Sequence, residues 1–345
     1  MLDPFPFVMA THDGTDWPEW GSSPHHPLVR FDMAHAGEWM DSVIGEDPMT
    51  CRPRVYHVIR CELCILCHIW PLPSEAALAT YYQTRFYATV AADAVAKHTR
   101  DRTWEEQCVY GPILAACERL RAKPQDAYAL LDIGAGCGIA METAIRRGWV
   151  AYGIEPDGAL CTDLRRRGYV TRQGGLAENR VFAERCRPDV VLLHEVLEHQ
   201  ANPEAFLLEC YDCMQPGSVL VISVPNDFSV SQLLACEKYN LPYYFLIPPV
   251  HVNYFTPKTL QLLVRRTGFR ILDLRGTYPL EVTMLTERGE SYVGNPVLWR
   301  QCTDEKIAVE LSAVREGRWR EQEAMYRTNI QDRLGRSILC IAMKG

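Results

Sequence analysis

The stretch from Leu130 to Pro156, LLDIGAGCGIAMETAIRRGWVAYGIEP, constrains the fold of this chain more than any other. The apolar run Tyr128 to Leu131 reads as a buried strand of a parallel sheet. Asp132 follows, then Gly134, Gly136 and Gly138 on alternate positions, then a helix-forming segment from Ala140 to Arg147. Val150 to Ile154 is a second short strand, and it ends on the carboxylate of Glu155. Strand, glycine turn, helix, strand and acid form the first half of a doubly wound nucleotide-binding fold. Glycine lets backbone approach a ligand with no Cβ in the way. An acid at the tip of the second strand can accept hydrogen bonds from both hydroxyls of a ribose.

Spacing separates the possible cofactors. A dinucleotide fingerprint G-x-G-x-x-G begun at Gly134 would need glycine where Ile139 stands. The pattern present is D-x-G-x-G-x-G, which resembles motif I of the class I S-adenosylmethionine (SAM) dependent methyltransferases. That resemblance implies SAM as cofactor, held by Asp132, Gly134, Ala135, Gly136, Gly138, Glu155 and Pro156. An NAD oxidoreductase is the rival, disfavoured by Ile139.

At 345 residues the chain can bury one large core and a smaller appendage. A net charge of −7 supplies no basic field for phosphate, so nucleic acid is not expected as the main partner. No apolar run approaches the ~20 residues of a membrane span. The opening MLDPFPFVMATHDGTDW lacks the charged-then-apolar order of a signal peptide. The 14 cysteines therefore read as reduced thiols of a cytoplasmic protein, many of them single residues inside apolar or helical segments.

Residues 1 to about 50 show no sustained period and read as irregular structure, with His25 and His26 as exposed loop histidines. Val55 to Ile59 is a candidate strand before a knuckle, Cys61-x-x-Cys64, for which Cys51, Cys67 and His68 are candidates to complete a zinc site. The second C-x-x-C of a zinc ribbon is missing, so a metal-free knuckle packed on the main domain is the competing reading. Ser74 caps a helix that carries the paired Tyr81 and Tyr82. Knuckle, P-x-P-S and paired tyrosines together resemble the N-terminal leader of a broad bacterial family of class I methyltransferases. The resemblance implies that this leader lies over the SAM pocket, closed by Tyr81, Tyr82 or Tyr87; a plain packing face is the alternative. A helical stretch from Trp104 to Arg121, broken at Gly111-Pro112, leads through Lys123-Pro124 into the first strand.

Beyond Glu155 the chain continues as helix (Ala159 to Arg167), strand (Tyr169 to Thr171) and the loop GGLAEN. By the same resemblance, Leu176 and Ala177 lie against the adenine. A fourth strand, Asp189 to Leu193, runs into HEVLEHQANPEAF. Strand ends of an open parallel sheet face the ligand crevice, so His194 and Glu195 belong beside SAM and acceptor. If Glu195 begins a helical turn, Glu198 and His199 share its face, and two carboxylates with an imidazole can bind a divalent ion or tune a base. E-x-L-E-H resembles the matching segment of the ubiquinone-biosynthesis O-methyltransferases, which implies magnesium on Glu195, Glu198 and His199. An acid pair bonded to backbone amides at the helix start is the alternative.

Ser218 to Val224 is a fifth strand, Thr256 caps a helix from Lys258 to Thr267, and Phe269 to Leu274 is a sixth strand. The last strand is Ser337 to Met343. The expected fold is α/β: a Rossmann-like class I methyltransferase with a seven-stranded, mostly parallel sheet, an antiparallel last strand, a cysteine-containing leader and a helical insertion before that strand. Its parts are an arm, knuckle and cap (residues 1–100), a SAM-binding core (101–276), an insertion (277–335) with one long charged helix from Thr303 to Leu334, and a final core strand (336–345). The long helix covers one face of the domain or meets a second subunit, as in a homodimer, and the insertion either helps to choose the acceptor or is a plain structural cover.

The resemblance thus implies methyl transfer from SAM to a small molecule, with hydroxyl oxygen as first acceptor and a sugar, isoprenoid or enolate carbon as second. A SAM-fold binding module without catalysis is the reading from another class. His199 and His251 are the candidate bases, with Glu195 beside them.

Overall fold

The computed structural model describes residues 19–22, 27–30, 36–62, 64–86, 96, 98–121, 128–286 and 290–345. His25, His26, Tyr87 and the Lys123-Pro124 linker lie outside them. The chain first builds an antiparallel sheet from β1 (Glu19–Ser22), β2 (Pro27–Arg30), β3 (Ala36–Glu46), β4 (Pro53–Cys61) and β5 (Cys67–Trp70). Irregular backbone was expected through residue 50, and β1, β2 and β3 all depart from that, β3 over the longest stretch. Its register against β4 shifts between Trp39 and Asp41, a bulge that breaks the two-residue alternation by which a strand is read from sequence.

Ser74 caps α1 (Glu75–Tyr81), its side chain accepting from the Ala77 N–H. Residues 98–104 are helical and run on, without the expected break, through a π-helical stretch, Glu105–Tyr110, into α2 (Gly111–Arg121). The wider π turn absorbs Pro112, which has no N–H to donate to an α-helical ladder.

The second sheet holds seven strands. They are β6 (Ala129–Ile133), β7 (Val150–Glu155), β8 (Val170–Gln173), β9 (Val190–His194), β10 (Val219–Pro225), β12 (Phe269–Gly276) and β13 (Ser337–Lys344), in the order β12-β13-β10-β9-β6-β7-β8. β6 to β10 pair in parallel, and β13 runs antiparallel to both its neighbours. This is the expected α/β architecture, antiparallel last strand included. Side chains alternate between two cores: Leu131, Ile133, Leu193 and Ile222 on one face, Leu130, Leu192, Val221 and Ile341 on the other. Helices α3 (Ile139–Arg146), α4 (Gly158–Arg166), α5 (Arg180–Cys186), α6 (Pro203–Cys213), α7 (Val230–Tyr239) and α8 (Pro257–Arg266) follow the strands. Strand order reverses at β6, whose neighbours are β7 and β9, and the crevice at such a switch point is where an open sheet binds its ligand.

Two-residue β11 (Asn253–Tyr254) joins the sheets' neighbourhoods by pairing with β5, Asn253 opposite His68. Nearby, a Cβ at Gly45 of β3 would sit 2.3 Å from the Pro248 carbonyl oxygen, so only glycine admits the Pro248 backbone there. Between β12 and β13 the insertion carries a short helical turn (Val282–Leu285), then α9 (Pro296–Arg315) and α10 (Trp319–Gln331), where one long helix from Thr303 to Leu334 was expected. Gly317 takes φ +70° between them, a left-handed stop no helix continues through. No helix among the described residues is long and apolar enough to cross a membrane.

Candidate active site

The carboxyl ends of β6, β7 and β9 open into a cavity of about 1000 Å³. Asp132, Gly134, Ala135, Gly136, Gly138, Pro156, Leu176, Ala177 and His194 all line it. Gly134 and Gly138 both have φ +77°, and the Gly134 N–H donates to the Ile154 carbonyl at 2.8 Å, so the loop is fastened to the neighbouring strand.

Glu155 is the exception. It is fully buried and outside the cavity lining; its carboxylate accepts from the Gly136 N–H at 2.7 Å and the Asp157 N–H at 2.8 Å. In this conformation the acid braces the glycine loop from behind, where the sequence placed it on a ribose.

Its charge acts on Asp132. Burial first, and Glu155 second, push the Asp132 carboxyl up to about 7. Because the folded value lies above the unfolded one, the stability gained from protonated Asp132 is complete below pH ~4 and lost as pH rises through 7. Asp132→Asn should therefore raise the thermal midpoint at pH 8 and change it little near pH 4. The expected gain is about 2 kcal/mol after setting the amide's own unmet hydrogen bonds against the relieved charge. Equal midpoint changes at both pH values would contradict it.

Opposite the glycine loop stands the wall built by residues 194–199. Glu195 is exposed and takes φ +56°, its N–H donating to the Ser223 carbonyl at 2.9 Å. This left-handed backbone at Glu195 breaks any helical path into the 3₁₀ turn Leu197–His199, so Glu195, Glu198 and His199 do not share one helical face as the sequence suggested. Glu195 and His199 line the cavity, whereas His251, the second candidate base, does not. The ring of His251 packs edge-on against that of His199, centroids 5.2 Å apart.

Glu198, His199 and His251 form one group instead, with a ligand atom of each within 4.8 Å of the others; Glu195 is not part of it. His199 Nδ1 lies 2.5 Å from the Val250 carbonyl and 2.8 Å from the Tyr82 hydroxyl. A carbonyl only accepts, so Nδ1 carries the proton and Nε2 keeps the lone pair, 3.9 Å from Glu198. Burial lowers His199 to about 4 and His251 well below its ordinary range, leaving both imidazoles neutral at pH 7. Burial, then the charge of Glu195, raises Glu198 well above the usual carboxylate range. Of the paired tyrosines, Tyr82 reaches the cavity and its hydroxyl donates to Val250 O at 2.6 Å, while Tyr81 is buried.

The far side of the cavity was not read from sequence. Trp104 and Tyr110 come from the helix before β6; Trp299, Lys306 and Glu310 from α9; Trp319 and Tyr326 from α10; Arg336 from the turn just before β13. The signal was present as spacing: Trp299, Lys306 and Glu310 are seven and four residues apart, one helical face, and Trp319 and Tyr326 are again seven apart. Glu310 is 3% exposed and accepts from the Trp104 indole N–H and the Tyr326 hydroxyl.

Knuckle residues Cys61, Cys64 and His68 gather at the β4–β5 turn, apart from this cavity, while Cys51 is exposed and Cys67 points its thiol at Met40.

Residues 100–274 match a family described as "Methyltransferase domain". A ubiquinone biosynthesis O-methyltransferase of Maricaulis maris is 32% identical over 120 residues, 33% of this chain and 46% of that protein. One of Cereibacter sphaeroides is 30% identical over 162 residues, 44% of this chain and 64% of that protein. The aligned part thus spans between about half and just under two thirds of these relatives' lengths. Among solved structures, a SAM dependent methyltransferase from Archaeoglobus fulgidus is similar with a TM-score of 0.44 and 20% identity, covering 70% of this chain and 98% of that one.

Proposed function

Since the chain belongs to the methyltransferase-domain family and has the class I fold, we propose that it transfers the methyl group of SAM to a hydroxyl oxygen of a small-molecule acceptor. One observation carries this reading: the glycine loop, the 194–199 wall and the aromatic face of the insertion all line a single cavity. A cofactor on the loop and an acceptor against α9 and α10 would meet in front of His194, Glu195 and His199.

In this reading Gly134 to Gly138 surround the methionine and ribose parts of SAM, and Pro156, Leu176 and Ala177 border its base. The methyl sulfonium carries its own activation, so the protein's main task is to hold the acceptor oxygen in line with the S–CH₃ bond. A hydroxyl must also lose its proton. His199 Nε2 is the group suited to take it, because Val250 fixes the other ring nitrogen as donor. Tyr82 holds the same ring from the leader side. The curated relatives' names describe O-methylation, which agrees with oxygen as acceptor.

The magnesium expected from the sequence does not fit what the structure gathers. Two imidazoles and one buried carboxyl are a nitrogen-rich set, whereas magnesium takes oxygen donors and keeps several waters. No step is assigned to it. All 14 cysteines are free, which suits the reducing, cytoplasmic setting proposed for the chain.

Incubating the chain with methyl-labelled SAM and fractionated extract of its source should yield a labelled methyl ether. Label on carbon, or none transferred, would contradict the proposal. With the acceptor so found, His199→Gln should lower the transfer rate by ~10²-fold or more and leave cofactor affinity within about twofold. An unchanged rate would remove His199 from the mechanism.

A further inference from the structure

We infer that Cys61, Cys64 and His68 hold a zinc ion that fastens the N-terminal sheet to the wall of the cavity. The three donors are two thiol sulfurs and one imidazole nitrogen, all within 4.8 Å of one another. Thiolate with imidazole is the donor chemistry of structural zinc, whose bonds to sulfur and nitrogen, about 2.3 and 2.0 Å, bring such atoms together at this scale. Cys61 and His68 are each 2% exposed, so the ion would sit in a sheltered site.

The local chain builds the cluster. Cys61 ends β4, and its N–H donates to the Leu66 carbonyl at 2.9 Å, closing a tight turn. Ile65 takes φ +64°, a left-handed conformation that a branched residue adopts only where its surroundings impose it. His68 lies on β5, and its Nδ1–H donates to the Ile69 carbonyl at 2.8 Å. That bond fixes the tautomer and leaves Nε2 as the ligating atom, the arrangement by which zinc histidines are oriented. Alternation along β5 explains why Cys67 takes no part: its thiol lies on the other face, 3.5 Å from the Met40 sulfur. Water takes the fourth position.

The knuckle also connects to the site. His68 pairs with Asn253 on β11, the Ile69 N–H donates to the Val252 carbonyl at 3.0 Å, and the Val252 N–H donates to the Glu198 carbonyl at 2.9 Å. Three residues thus link the metal-bearing strand to the backbone that positions Glu198, His199 and His251. The ion takes no part in methyl transfer; it holds the turn from which this chain of hydrogen bonds starts.

Zinc content of the purified full-length chain, measured by mass spectrometry after dialysis against metal-free buffer, tests the inference. The expected result is about one zinc per chain, falling at least ~10-fold in Cys64→Ser and unchanged in Cys67→Ser. Cobalt(II) added to chelator-stripped protein should give a thiolate-to-cobalt charge-transfer band in the wild type and Cys67→Ser, and none in Cys64→Ser. Removing zinc should lower the thermal midpoint by ~5 °C or more, with zinc alone restoring it. A wild-type chain that holds no zinc and gives no cobalt band overturns the site. So does full zinc content in Cys64→Ser, or equal loss in Cys67→Ser, which would place the metal elsewhere.

Discussion

Gly134→Val will weaken the binding of S-adenosylhomocysteine (SAH), the product of methyl transfer from SAM, by more than ~100-fold, a loss of about 3 kcal/mol. Two effects act together. At φ +77° a β-branched residue is strained by about 1–3 kcal/mol. A Cβ there would also sit 2.7 Å from Val196 Cγ2, on the wall opposite, so the loop must move into the space assigned to the cofactor. The β6 core stays packed, so the variant should remain folded with a modestly lower thermal midpoint. Gly136 is the informative neighbour. A Cβ on it meets nothing nearer than 4.0 Å of protein, although φ is +51°. Gly136→Ala should therefore lose only about 1 kcal/mol of stability, and any larger loss of affinity would report the ligand's own approach to that residue. Unchanged SAH affinity in Gly134→Val would mean the loop does not hold the cofactor.

Arg336→Met will destabilise the chain by about 2 kcal/mol, below the range for a pair buried on both sides because the Arg336 side chain is itself 37% exposed. Glu281 is fully buried, and Arg336 supplies its ion-pair partner; the Tyr292 hydroxyl adds a hydrogen bond at 3.2 Å. The guanidinium also lies 4.7 Å from the centre of the Trp299 ring. Glu281, Tyr292 and Trp299 belong to the insertion, and Arg336 immediately precedes the last core strand, so this cluster docks the insertion on the sheet. Methionine fills much of the arginine stem's volume but leaves the Glu281 carboxylate, among the described residues, with the Tyr292 hydroxyl alone. Glu281→Gln in the same chain should recover most of the loss, because then neither charge is left buried alone. A double variant no more stable than Arg336→Met would show that stem packing, not the charge pair, carries the effect.

The core of the fold was legible because its signals are local. An apolar run, alternate glycines and an acid at the next strand's end each specify backbone within a few residues, and β6 to α3 formed as read. β13 was legible for a different reason: SILCIAM was the remaining apolar strand and strand six needed a neighbour, while its antiparallel direction was implied by the resemblance to class I methyltransferases. What stayed hidden depends on contacts distant in sequence. β11 is two residues long and becomes a strand by pairing with β5, nearly two hundred positions earlier. His251 joins His199 because Val250 and Val252 bond back to the 198–199 turn, which no spacing within HEVLEH reveals. Glu195 left its predicted helical face through one backbone angle, φ +56°, favoured by no feature of its side chain. In the insertion the cavity-facing stripe was visible at helical spacing, but tryptophan, lysine and glutamate together do not read as one buried face until a cavity is placed against them.

The most direct test of the central claim, that the turn after Leu131 binds a sulfonium nucleoside cofactor, is calorimetric titration of the wild-type chain with SAH and, separately, with NAD⁺. One SAH per chain with affinity in the micromolar range, no heat from NAD⁺, and loss of the SAH signal in Gly134→Val are the predicted results. No SAH binding, or saturable binding of NAD⁺ in its place, would contradict the account.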